Sequence, residues 1–116
     1  MSPQVRIHRS VLDRVLVHAR AGYPQEVCGL LLGNSEPTLI SVIHAVNLPN
    51  AADATERHNR FAIDSRLMLE WERHATRAGL VVAGVFFSHP HAPGRPRQAG
   101  PAGAWPRHVF LLVSVS

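Results

Sequence analysis

Val81-Val82-Ala83-Gly84-Val85-Phe86-Phe87-Ser88-His89-Pro90-His91 is the stretch on which the reading of this chain turns. Six of its first seven residues are apolar and Gly84 is the only break. A short apolar run of this kind suits a central β-strand covered on both faces. Proline cannot donate to a ladder, so Pro90 ends the strand near His89. Ser88, His89 and His91 then fall at the strand's C-terminal mouth, where open α/β sheets place their sites. A His-Pro-His sequence at a strand end is by itself also an ordinary loop.

Upstream, Leu67, Met68, Trp71, Ala75 and Ala78 recur at helical spacing, with Asp64 or Ser65 as cap and Gly79 as stop. That stripe reads as core. Asn47 to Asn59 is polar, contains Pro49 and reads as a loop. Two apolar runs precede it: Val27 to Leu32, bounded by Glu26 and Gly33, and Leu39 to Val46. They are predicted to pair as an antiparallel hairpin across Asn34 to Pro37. Val11, Leu12, Val15, Leu16 and Ala19 form the stripe of a first helix over Ile7 to Arg20, with Ser10 as N-cap and Gly22 as stop. Downstream, the prolines and glycines of Ala92 to Gly103 disfavour regular helix, and His108 to Val115 reads as a last strand. The order α-β-β-α-β-loop-β predicts an α/β or α+β domain, a mixed sheet flanked by helices.

The chain has 116 residues, a length for one domain over 1–116. Its composition, 46% hydrophobic and 17% charged, is that of a folded protein and not a disordered one. The net charge is +4. Arg95 and Arg97 lie in a Gly/Pro loop without interleaved aromatics, which favours a solvated basic face over a nucleic-acid surface. Cys28 is the single cysteine, set in an apolar run where a thiol is usually inert. It permits no internal disulfide, in keeping with a reducing compartment. No stretch approaches the roughly 20 apolar residues of a membrane span, and no signal-peptide apolar region follows the N-terminus. The expected location is the cytoplasm.

Three groups stand out chemically: a carboxylate opening one strand (Glu26), a histidine closing another (His89), and the serine beside it (Ser88). A hydrolytic zinc site needs three protein ligands, a base for the metal's water and a donor for the oxyanion. Here the sequence resembles the JAMM (MPN/JAB) metallopeptidases, over nearly the whole chain. The resemblance is carried by Pro24-Gln25-Glu26-Val27-Cys28-Gly29-Leu30-Leu31-Leu32-Gly33, by Asn47 with Phe61-Ala62-Ile63-Asp64, and by Gly84 with Ser88-His89-Pro90. The first part looks most like small stand-alone bacterial members that act on ubiquitin-like sulfur-carrier proteins. The resemblance implies a cytidine-deaminase-like architecture and zinc-dependent peptide or isopeptide hydrolysis at the C-terminal tail of a ubiquitin-like or sulfur-carrier protein. It implies Glu26 as base, Ser88 as oxyanion donor and His89 as a zinc ligand. A homodimer is compatible with it.

The sequence also departs from the family. The family's first zinc histidine falls at Phe87, its later serine at Arg97 and its zinc aspartate at Gly100. Neither phenylalanine nor glycine has a side-chain electron pair to donate. His91 is the available substitute, placed beyond Pro90. The expectation is a domain with a degenerate metal site, weak or absent zinc, and inactive or impaired hydrolysis. The alternative is a non-catalytic binding module for a ubiquitin-like partner. The Ala92 to Ala102 stretch, where spacing survives and residue types do not, is compatible with natural degeneration or with an altered reading frame.

Overall fold

A computed structural model describes residues 3–55, 61–90 and 108–115. In chain order the elements are β1 (Gln4–Ile7), α1 (Arg9–Gly22), β2 (Cys28–Ser35), β3 (Leu39–Leu48), α2 (Ser65–Arg77), β4 (Val81–Pro90) and β5 (Val109–Val115). The five strands make one sheet in the order β1-β3-β2-β4-β5. β2 pairs antiparallel with both β3 and β4, and the two outer pairings, β1 with β3 and β4 with β5, are parallel. The expected mixed sheet with flanking helices is therefore the architecture found.

The central strands are buried for the reason their composition gives. β2 reads Cys-Gly-Leu-Leu-Leu-Gly at its buried end, and successive side chains enter opposite layers. On one side Leu31 and Phe86 pack with Val11, Val15 and Ala19 of α1. On the other, Cys28, Leu30, Val85 and Phe87 pack with Ala75, Leu67, Met68 and Trp71 of α2. Gly84 lets β5 approach, since a Cβ there would run into the Val109 backbone.

The sequence reading missed β1. Only Val5 and Ile7 of its four residues are apolar, and its first three are exposed, so a short edge strand carries almost no periodic signal. Leu39 to Val42 supply its pairing partner. Helix α1 begins after His8, not at Ser10, and no side chain caps it; it also runs through Gly22. For α2 the cap is Asp64, whose carboxylate accepts from Arg66 N–H at 2.8 Å. β4 extends through Pro90, where it pairs with Val115. Among the described residues, no helix is long and apolar enough to cross a membrane.

Candidate functional site

The pairing of β2 with β4 sets the site. Cys28 lies opposite Phe87, so the residues just before β2 meet those at the end of β4. One residue earlier, Val27 and Ser88 exchange two hydrogen bonds. Ser88 N–H donates to the Val27 carbonyl at 2.9 Å, and Val27 N–H donates to Ser88 Oγ at 2.8 Å. The hydroxyl thus takes the place of a ladder carbonyl and keeps its own proton to donate.

Glu26 is buried, 1% exposed. Its Oε2 lies 3.9 Å from Nδ1 of His89, whose side chain is 22% exposed. That is ion-pair range, beyond the 2.7–3.2 Å of an N–H···O hydrogen bond. The predicted trio of Glu26, Ser88 and His89 is brought together at one end of the sheet. His91 and Gly100 lie outside the described residues, as does Arg97.

Phe87, two residues before His89 on the same face of β4, is 4% exposed. Its ring stacks on Phe61, centroids 4.7 Å apart and planes 17° apart. Cys28, opposite Phe87, directs its thiol towards the carbonyls of Leu48, Pro49 and Ala62 at 3.7–3.9 Å. Burial pushes that thiol up to about 12, so it stays protonated at neutral pH. Among the described residues, no group of three or more His, Cys, Asp or Glu side chains could hold a metal ion.

Two site residues escaped the sequence reading. The asparagine that reaches the site is Asn50, not Asn47, whose residue is exposed on β3. Asn50 Nδ2 donates to the Glu26 carbonyl at 2.8 Å, while its Oδ1 accepts from Ala52 N–H at 3.0 Å and Ala62 N–H at 3.1 Å. It ties the entry of β2 to the start of the segment that carries Phe61. The second is His18 of α1, which with Gly22, Gln25, Glu26, Pro49 and Asn50 lines a cavity of about 320 Å³. Its signal was in the sequence: seven residues after Val11 and three after Val15, a polar ring sits on the buried stripe. His44, by contrast, is exposed on β3 and pairs with Leu32, which pairs in turn with Val82. His89 lies seven positions beyond Val82 on β4, roughly 23 Å along the strand, so His44 takes no part.

Fold and site together define a mixed α+β domain whose polar residues converge where the first central strand begins and the next one ends. The chain belongs to the prokaryotic homologs of the JAB domain, whose family model matches residues 8–115. It is 28% identical over 118 residues to the desampylase of Haloferax volcanii, covering 97% of this chain and 82% of that protein. Among solved structures it is similar to a protein of Desulfitobacterium hafniense, with TM-score 0.73 and 29% identity. That match covers 82% of this chain and 63% of the other, so the chain spans under two thirds of that protein's length. A protein of Salinibacter ruber matches with TM-score 0.67 and 32% identity over 95% of this chain and 72% of its own.

Proposed function

We propose that this domain recognises the C-terminal tail of a ubiquitin-like or sulfur-carrier protein, and that zinc-dependent hydrolysis at that tail is impaired or lost. Membership in the JAB family and similarity to a desampylase support a ubiquitin-like partner. The observation that carries the loss is the Phe61–Phe87 stack. At the position where family members place a zinc histidine stands a buried aromatic ring already packed against another. A catalytic zinc takes three protein ligands, and the described residues offer His89 with the carboxylate of Glu26. By themselves these two do not make up the three-ligand set that such a metal needs. In the family's scheme Glu26 would be the base, Ser88 the oxyanion donor and His89 the retained ligand.

A second reading, a hydrolase completed by His91, is favoured by one observation. Glu26 and Ser88, which a pure binding module does not need, are both kept buried at the site. Cytoplasmic residence is part of the proposal, on the ground that the single cysteine is a buried free thiol. The test mixes the purified protein with a ubiquitin-like protein carrying a C-terminal extension, with and without added zinc. Saturable binding without cleavage is expected. Zinc-dependent turnover would establish the second reading, and absence of binding in calorimetry would remove the proposed partner.

A further inference from the structure

Glu26 is approached by two histidines. His89 of β4 stands 3.9 Å from its carboxylate. His18, one turn before the end of α1, lines the same cavity as Glu26, which makes that cavity a wall of the site already described. The two rings come from opposite faces of the sheet. His18 meets Phe86, which packs in the layer under α1. Strand alternation puts His89 on the face of Phe87, which packs in the layer under α2.

The His18 ring is held by its neighbours. It stands edge-on to Phe86, centroids 6.0 Å apart at 81°, and makes a hydrogen bond with the Cys28 backbone. Its Nε2 is buried and has no hydrogen-bond partner among the described residues. In the neutral ring that nitrogen is an unused acceptor. Protonated, it becomes a donor beside a buried positive charge, which needs a counter-charge. Desolvation lowers the ring's pKa, offset in part by the Cys28 bond, so the ring is neutral at physiological pH. Glu26 is the carboxylate among the residues that line the cavity. The Cys28 thiol, raised to about 12, stays protonated. On α1, Arg14 and Arg20 are exposed, and Tyr23 follows the last turn. β4 offers the Phe86 ring, and β5, which also packs against α1, has no titratable side chain.

We propose that His18 and Glu26 form a pH-sensitive switch, in which protonation of His18 draws the Glu26 carboxylate towards its Nε2 and away from His89. The backbone stays where it is. Asn50 holds the Glu26 carbonyl, and Val27 is tied to Ser88, so the side chain is the part that turns. The switch sets where the site's carboxylate points. It bears on the site of the proposed function but rests on no partner, metal or hydrolysis.

The test is an NMR titration of the whole chain from about pH 8 to about pH 5, the range in which histidines change charge. It follows the His18 ring and the side-chain carboxyl carbon of Glu26. Both are expected to move with one shared midpoint, below 6.5. Nuclear Overhauser contacts of the Glu26 side chain should pass from the His89 ring to the His18 ring. His18→Gln, which cannot titrate, should abolish that step in the Glu26 signal, and His89→Gln should leave it. A Glu26 signal that stays flat while His18 titrates, or a step that survives in His18→Gln, would overturn the proposal. So would unchanged Overhauser contacts, or acid unfolding before the His18 ring titrates. Folding is followed by the amide spectrum; if His18→Gln does not fold, the wild-type midpoints and contacts decide. A ubiquitin-like protein is absent from every arm, so failure here is distinct from failure of the proposed function.

Discussion

At Ser88 a side chain completes the sheet, and its removal should be felt in stability as well as chemistry. Ser88→Ala leaves the Val27 N–H buried without its acceptor, which should cost about 1–3 kcal/mol in urea unfolding. Two titrating residues give opposite pH dependences. His18 has a folded pKa below its usual 6.5, so the unfolded chain binds more protons in the window just beneath 6.5. Stability from this residue is present above 6.5 and lost as pH falls towards the folded value. Cys28 is raised from 9.0 to about 12, so its stability is complete below 9 and lost as pH rises from 9 towards 12. Unfolding midpoints measured across pH should show both slopes. His18→Leu should flatten the acid one and Cys28→Ala the alkaline one.

Among the elements, the Phe61–Phe87 stack joins the end of β4 to the segment before α2, and Asn50 ties the entry of β2 to the same segment through its hydrogen bonds with the Glu26 carbonyl and Ala62 N–H. A double-mutant cycle with Phe61→Leu and Phe87→Leu should return a coupling of about 0.5–1.5 kcal/mol, the range for aromatic pairs; additive effects would show that the rings act independently. Phe87→His with Gly100→Asp would restore the family's donor types around His89. The exchange at Phe87 gives up a large buried ring, for which truncation to alanine costs about 3–5 kcal/mol, and zinc binding in the native state would offset part of this. Zinc titration should find affinity gained with little hydrolysis, and adding Arg97→Ser and Pro101→Leu should improve both. A four-fold variant that binds zinc no better than the parent would show that Phe87 and Gly100 are not the ligand positions.

For the whole molecule, the central strands, both helices and the meeting of Glu26 with His89 were legible in the sequence because burial writes itself as uninterrupted or periodic apolar residues. Phe87 was legible as a buried strand residue, but not as half of an aromatic stack, because Phe61 lies 26 positions away and only the fold joins them. β1 was illegible because an exposed edge of four residues is stabilised by its neighbour's backbone and not by its own pattern. Asn50 escaped for a related reason, since the Glu26, Ala52 and Ala62 groups that its side chain meets are backbone groups, which any sequence supplies. With Phe61 and Phe87 packed on each other at the proposed ligand position, the fold is expected to hold without zinc. The zinc content of the purified protein, measured together with its melting temperature before and after chelator, decides this. Binding that selects the native state must raise stability. Zinc well below one equivalent and a melting temperature unmoved by chelator are the predicted result; stoichiometric zinc whose removal lowers the melting temperature would contradict it.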